Sequence, residues 1–178
     1  RGALEGSEGS FEVTDTQPLG EAHAHVGKVV HGRISVGQKV LARVDAERRR
    51  ATMRHHTATH LLQAALRQVL GNHAAQSGSY VGPDRLRFDF THHKPLSEEQ
   101  TLQVEDLVNR WVLANLPVCT EELPIQEAIQ RGAIALFGEK YGDTVRLLEV
   151  RDVSKELCGG THVSHTGEIG AFRIVSQE

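Results

Sequence analysis

The chain has 178 residues, of which 39% are hydrophobic and 24% charged, the balance of a globular protein with one large or two small domains. Its net charge of -3 excludes a globally basic nucleic-acid-binding protein, so any such contact must use local patches, of which residues 48–50 with Arg54 are the densest. No apolar run approaches the ~18 residues of a membrane-spanning helix, and no signal peptide is recognisable.

The first 44 residues read as short strands separated by glycines. Candidate strands are 10–13, 24–30, 33–36 and 39–44, and the last comes close to alternating apolar and polar residues. This pattern predicts a small β-rich subdomain, either an antiparallel sheet or a barrel, within residues 1–50.

Near Asp45 the hydrophobic period changes to that of a helix. Asp45 can cap this helix, the helical spacing is clear from Ala51, and Gly71 ends the run. The segments 77–81 and 85–90 then predict a hairpin around the turn residues between them.

A second helix is predicted from Ser97, where Gln100 completes a capping box, to the stop at Pro117. The remaining predicted elements are strands at 118–122, 145–150 and 168–175 and a short helix at 124–131. The predicted class is therefore α+β: a small barrel-like N-terminal subdomain (1–50), then a core of helices packed on a mostly antiparallel sheet (51–178).

Two pairs of metal-ligand residues stand about a hundred positions apart. His56 and His60 are spaced i, i+4, which places both imidazoles on one helix face. Cys158 and His162 have the same spacing, and the two glycines between them allow the backbone to fold tightly around an ion. Three imidazoles and a thiolate suit a tetrahedral zinc site.

Other interpretations of the histidines must be weighed, because a chain with 11 histidines contains such a pair by chance. The second pair favours a metal. Thr57 stands where a zinc protease has its glutamate, which argues against a protease. His55 points about 100° away from His56 around the helix and is treated as non-ligating. Whether His162 ligates or leaves an open position is not decided by the sequence.

The two cysteines do not make a disulfide framework. A disulfide between Cys119 and Cys158 stays open as an alternative, but the ligand spacing around Cys158 indicates a reducing compartment. Cys119 is expected to be a small buried residue.

Several motifs together resemble the editing domain of alanyl-tRNA synthetase. They are the stretches 56–62 (HTATHLL), 87–90 (RFDF), 135–141 (ALFGEKY), 157–162 (LCGGTH) and 167–170 (GEIG). The resemblance covers essentially the whole chain, and the β-rich segment resembles the barrel-like subdomain that precedes editing in that family. Free-standing alanyl-tRNA deacylases share the core, and threonyl-tRNA synthetase carries a related module. Since Met53 is the only methionine, we expect a fragment of a longer protein, with the aminoacylation domain upstream.

The resemblance implies hydrolysis of tRNA(Ala) that carries serine or glycine. A pocket shaped for alanine admits glycine and excludes serine only weakly, so a second hydrolytic site corrects the errors. The metal ligands implied for Zn2+ are His56, His60, Cys158 and His162. The catalytic residues implied are Thr59 and Gln76. The implied substrate contacts are Thr59, Gln76, Gly159, Gly160, Thr161, Arg87 and Lys140, with plain surface charge as the alternative for the last two.

The resemblance also implies partners and a location. The partners are the 3' acceptor end of tRNA(Ala) and the remaining domains of the synthetase, and the location is the cytoplasm. No carboxylate base is identified within the motifs, so activation of the water is left to the metal or to the vicinal hydroxyl of the tRNA. Two alternatives stay open: a zinc-stabilised tRNA-binding module without hydrolytic activity, and a metal-free structural domain.

Overall fold

The computed structural model describes residues 1–135 and 141–178. The chain divides into two compact units, Arg1–Arg49 and Arg50–Glu178. Antiparallel sheets and, in the described ranges, three α-helices confirm the predicted α+β class.

The first unit is a four-stranded antiparallel sheet. Its strands are β1 (Gly2–Gly6), β2 (Gly9–Leu19), β3 (Ala22–Gly32) and β4 (Leu41–Val44). They lie in the order β3-β2-β1-β4, so β3 and β4 are the two edges and the sheet does not close into a barrel. Leu4, Phe11 and Val29 are paired across neighbouring strands and therefore share one face, on which Val13 is buried.

Two sequence predictions fail in this unit. Residues 33–36 form no strand, because β3 ends at Gly32 in a left-handed conformation (φ 61°) and a turn follows, closed by the bond from Gln38 N to Ser35 O. β1 was not predicted from its glycine-rich sequence. It forms because β2 and β4 pair with it on both sides.

The long helix α1 (Ala46–Leu70) begins after Asp45, whose Oδ1 accepts a hydrogen bond from the backbone of Arg48 at 3.0 Å. The middle of α1, from Thr57 to Gln63, is buried without interruption. His60 of the predicted histidine pair lies within this buried stretch, and His56, which is partly buried, lies immediately before it.

The second unit contains a hairpin, two further helices and a three-stranded sheet. The elements are β5 (Gln76–Val81), β6 (Leu86–Phe90), α2 (Glu98–Leu113), β7 (Val118–Pro124), α3 (Ile125–Gln130), β8 (Thr144–Val150), β9 (Ser154–Leu157) and a 3-10 helix (Thr166–Ile169). The capping box of Ser97 and Gln100 is present as predicted. β7, β8 and β9 form an antiparallel sheet in that order, of which β9 was not predicted.

The core of this unit lies between α1 and α2. Leu61 and Leu66 of α1 and Val104 and Val108 of α2 are all at most 1% exposed, together with Val150 of β8. Full burial of one such side chain stabilises the fold by about 1.5–3 kcal/mol. The predicted apolar face of β6, with Leu86, Phe88 and Phe90, packs against this cluster, as does Trp111.

The end of the chain is not the predicted strand. Residues 170–178 form neither helix nor strand, and side chains of α2 bond the backbone of two of them, Phe172 and Ile174. Asn109 Oδ1 accepts from Phe172 N at 2.8 Å, Asn109 Nδ2 donates to Phe172 O at 2.9 Å, and Glu105 Oε1 accepts from Ile174 N at 2.6 Å.

Two smaller findings concern the cysteines and the helices. Cys119 lies on β7 and is exposed, so its predicted burial is wrong, and both cysteines are free thiols. Each helix in the described ranges is too short or too polar to cross a lipid bilayer.

Candidate metal centre

The two predicted ligand pairs meet in the second unit. His56 and His60 come from α1, and Cys158 and His162 from the loop that follows β9. The four ligand atoms all lie within 4.8 Å of one another. Cys158 Sγ is 3.4 Å from His56 Nε2 and 3.3 Å from His162 Nε2. Thiolate and imidazole ligands of one tetrahedral zinc lie roughly 3.3–3.6 Å apart, so these separations fit a single ion.

Burial also favours a bound ion. His60 is 6% exposed, and its Nε2 has no hydrogen-bond partner in the described part of the chain. Leaving a buried polar atom unsatisfied costs about 1–3 kcal/mol. A metal ion bound by the lone pair of Nε2 would remove this cost. The group His56, His60, Cys158 and His162 can therefore hold a metal.

The glycine-rich loop is shaped by close approach to α1. A Cβ on Gly160 would lie 2.0 Å from Cε1 of His56, so only glycine fits there. Arg146 of β8 anchors the same loop, since its Nη1 donates to Gly160 O at 2.9 Å and its own carbonyl accepts from Cys158 N at 2.9 Å.

The charges of the cluster suit metal binding. Burial alone would raise the pKa of Cys158, but the facing imidazoles of His162, His56 and His60 lower that pKa to about 3. The thiol is therefore a thiolate at neutral pH, which is the form that binds metals. Burial alone would lower the pKa of His60, but Cys158 and Glu156 raise it to about 9. Burial lowers the pKa of His162 and favours its neutral form.

Thr57 supports His162 from the position where a zinc protease has its glutamate. It is fully buried, and its Oγ1 accepts a hydrogen bond from Val163 N at 3.2 Å. The same oxygen lies 3.3 Å from His162 Nδ1. If Nδ1 carries the proton of neutral His162, it donates to Thr57 and leaves Nε2 free to ligate.

Comparisons with known proteins agree with the motifs. Residues 145–178 match the family described as threonyl and alanyl tRNA synthetase second additional domain. The chain is 55% identical to the alanine–tRNA ligase of Hydrogenovibrio crunogenus over 99% of this chain and 20% of that protein. It is 56% identical to the alanine–tRNA ligase of Chloroflexus aurantiacus over 99% of this chain and 21% of that protein. It is 59% identical to the alanine–tRNA ligase of Thermotoga maritima over 86% of this chain and 18% of that protein. The predicted resemblance to alanyl-tRNA synthetase is confirmed.

The chain spans about a fifth of the length of these curated relatives. The family match at 145–178 contains β8, β9 and the ligand pair Cys158 and His162. The histidine pair of α1 lies outside that match but within the stretch shared with the alanine–tRNA ligases of H. crunogenus and C. aurantiacus, which match 99% of the chain.

Three other residues named by the resemblance to the synthetase are held by neighbours in their own elements. Thr59 is buried and donates from Oγ1 to His55 O at 2.8 Å. Gln76 donates from Nε2 to Ser79 Oγ at 3.1 Å. Arg87 is exposed, and its Nε lies 2.9 Å from Asp89 Oδ1.

The remaining predicted site residues fall into two groups. Gly159 and Thr161 lie in the ligand loop, and a Cβ on Gly159 would meet no atom within 4 Å. Lys140 and the rest of the segment 136–140 lie outside the described residues.

His55, which the sequence placed off the ligand face, has its Nδ1 2.7 Å from Gly82 O.

Sequence reasoning missed Glu156. Glu156 lies outside the motifs, on β9, two residues before Cys158. Its Oε2 is 2.8 Å from His60 Nδ1, an ion-pair distance, although the angles fall short of a well-aligned hydrogen bond. Period-two alternation was the available signal, since residues 156 and 158 of an extended segment point to the same side.

Proposed function

We propose that this chain is the editing part of an alanyl-tRNA synthetase and hydrolyses the ester bond of tRNA(Ala) mischarged with serine or glycine. Residues 51–178 form the editing core in this proposal, and residues 1–50 its β-rich neighbour. The convergence of two imidazoles from α1 with a thiolate and an imidazole from the β9 loop carries the proposal. The similarity to alanine–tRNA ligases supports it.

Zinc is the proposed ion because its preferred ligands are the thiolate and imidazole groups gathered here. The buried, unpartnered Nε2 of His60 and the low pKa of Cys158 both fit it. Bound zinc supplies a Lewis acid that polarises an oxygen or holds a hydroxyl or amine of the substrate.

Side chains around the proposed ligands hold the ligand residues in position. Thr57 orients His162, and Arg146 fixes the ligand loop through its hydrogen bond to Gly160 O. Gly159 is exposed and a Cβ there would meet no atom within 4 Å, so a substrate can approach the ligand loop at this point. These contacts prepare the site before a substrate arrives, so little rearrangement opposes catalysis.

We propose that Thr59 and Gln76 orient the ester or the attacking water. The Thr59 proton is used by His55 O, so its hydroxyl can serve a substrate as an acceptor, which suits the hydroxyl of a seryl group. The amide nitrogen of Gln76 is bonded to Ser79, which leaves its oxygen to accept. A site that hydrogen-bonds a substrate hydroxyl favours serine over alanine, which lacks that group; this contact plays no part in the recognition of glycine.

The partners in this proposal are the 3' acceptor end of tRNA(Ala) and the remaining domains of the synthetase, in the cytoplasm. Arg87 and Lys140 are the proposed cationic contacts to the RNA. Arg87 already pairs with Asp89 on the exposed side of β6, so a phosphate would have to compete with this carboxylate. With a net charge of -3, the chain by itself binds tRNA weakly, because phosphate contacts supply most sequence-independent affinity.

A deacylation assay tests the proposed function. The chain is incubated with seryl- and alanyl-tRNA(Ala), alongside the variants Cys158→Ala and Cys119→Ala. We expect release of serine but not alanine, loss of release with Cys158→Ala, and full release with Cys119→Ala, because Cys119 is exposed on β7. Undiminished hydrolysis by Cys158→Ala contradicts the metal role. Binding of tRNA without hydrolysis supports the binding module instead.

A further inference from the structure

Glu156 is a buried carboxylate beside the proposed ligands, and no motif includes it. It is 3% exposed. We propose that Glu156 is a positioning residue that holds the proton of His60 on Nδ1, so that the lone pair of Nε2 is presented to the metal ion. The inference rests on the proposed function for the presence of that ion.

The carboxylate is held in one orientation by two contacts. Oε2 lies 2.8 Å from His60 Nδ1, and Oε1 accepts a hydrogen bond from Ser154 Oγ at 2.6 Å. Each oxygen is thus committed to a different neighbour, and turning the carboxylate would disrupt both contacts.

The backbone around Glu156 is held from both sides. Leu148 of β8 pairs with it on one side, and Ile134 forms a bridge to it on the other. Ile134 donates to Lys155 O at 2.9 Å and accepts from Leu157 N at 3.0 Å. β9 therefore presents Glu156 to α1 at a defined position.

The contact between Glu156 and His60 decides which imidazole nitrogen of His60 can bind a metal. A neutral imidazole carries its proton on one nitrogen and binds metal through the other, and the partner of the first nitrogen decides which is which. An ionised carboxylate only accepts, so it selects the proton on Nδ1. Nε2 of His60, which has no partner in the described ranges, is then the ligating atom.

Burial argues against an incidental contact. Burying a carboxylate is costly unless it has an ion-pair partner. Among the described residues, the ion-pair partner of Glu156 is His60. A misaligned hydrogen bond in the metal-free site is expected to tighten once the ligand nitrogen is engaged.

Metal affinity tests the inference with Co2+ as the probe, measured by chelator competition and by the absorption bands of the bound ion. The variants of the full chain are Glu156→Gln, which keeps the shape but removes the charge, and Glu149→Gln, a control on β8 whose glutamate pairs with Lys155. We expect about 10- to 100-fold weaker binding with Glu156→Gln and altered bands, with no change in the control. Equal affinity and identical bands overturn the inference.

A second readout needs no variant. In the Zn2+-loaded chain with 15N-labelled histidine, long-range proton–nitrogen correlations identify the protonated nitrogen of His60. We expect a protonated Nδ1 and a coordinating Nε2, whereas coordination through Nδ1 overturns the inference even if Glu156→Gln fails to fold. A structural role alone would lower the melting temperature of Glu156→Gln without changing the coordinating nitrogen or the Co2+ bands.

The same measurements separate the two proposals. If the unaltered chain binds neither Co2+ nor Zn2+, the proposed metal centre fails, and the role of Glu156 fails with it. If the unaltered chain binds both ions but Glu156→Gln binds equally well, only the role of Glu156 fails.

Discussion

Cys158 Sγ lies 3.4 Å from Nε2 of His56, although 102 positions separate the two residues in the chain. The contact joins the middle of α1 to the loop after β9. Because both partners are potential ligands, the local packing of this loop and the chemistry of the proposed site depend on each other.

The first prediction concerns the glycines of the ligand loop. In Gly160→Ala, the new Cβ would lie 2.0 Å from Cε1 of His56, so the loop or the imidazole must shift and bound zinc should be lost. Gly159→Ala is the matched control, since its Cβ meets no atom within 4 Å. The zinc content of each purified variant is measured. Equal zinc contents would contradict the expectation that a Cβ at position 160 displaces His56 or the loop.

The second prediction is a pH dependence of metal affinity. The pKa of His60 is raised to about 9, so between pH 7 and 9 the metal-free imidazole is mostly protonated and must release a proton to ligate. Affinity should therefore rise about tenfold per pH unit up to pH 9 and then level off. Cys158, with a pKa of about 3, adds no further slope in this range. Chelator competition at several pH values measures the slope, and a flat profile would contradict it.

The third prediction concerns stability. An ion that binds only the folded state stabilises it by about 2.7 kcal/mol when its free concentration is a hundred times the Kd. Adding zinc should raise the melting temperature of the chain, and a chelator should reverse the rise. The variant Cys158→Ser lacks the thiolate and should melt at nearly the same temperature with and without zinc. A large zinc-dependent rise in that variant would show that binding does not require the thiolate.

The fourth prediction concerns the irregular end of the chain. Asn109 of α2 makes two hydrogen bonds to the backbone of Phe172, so Asn109→Ala leaves an N–H and a carbonyl without their partner. We expect a loss of about 1–3 kcal/mol in the free energy of unfolding, measured with urea. Gln103→Ala, on the exposed side of the same helix, should cost little. Equal losses in the two variants would show that the hydrogen bonds between Asn109 and Phe172 contribute nothing to stability.

Local patterns predicted most of the elements of the second unit. The capping box at Ser97, the short helix α3 and the hairpin of β5 and β6 depend on residues a few positions apart, so they can be read from the sequence. The failures share one cause. β1 and β9 exist because neighbouring strands pair with them, and in the irregular segment 170–178 side chains of α2 bond the backbones of Phe172 and Ile174.

The sequence by itself determined which residues can serve as ligands and how each pair is spaced, because i, i+4 geometry is a local property of the helix and the glycine-rich loop. Only the tertiary structure decided that the two pairs meet, that Gly160 packs on His56 and that Glu156 reaches His60. The physical reason is that these contacts depend on the pairing of β9 with β8 and on its packing against α1. The periodicity of the sequence indicates which residues share one side of β9, but it does not say which helix that side packs against.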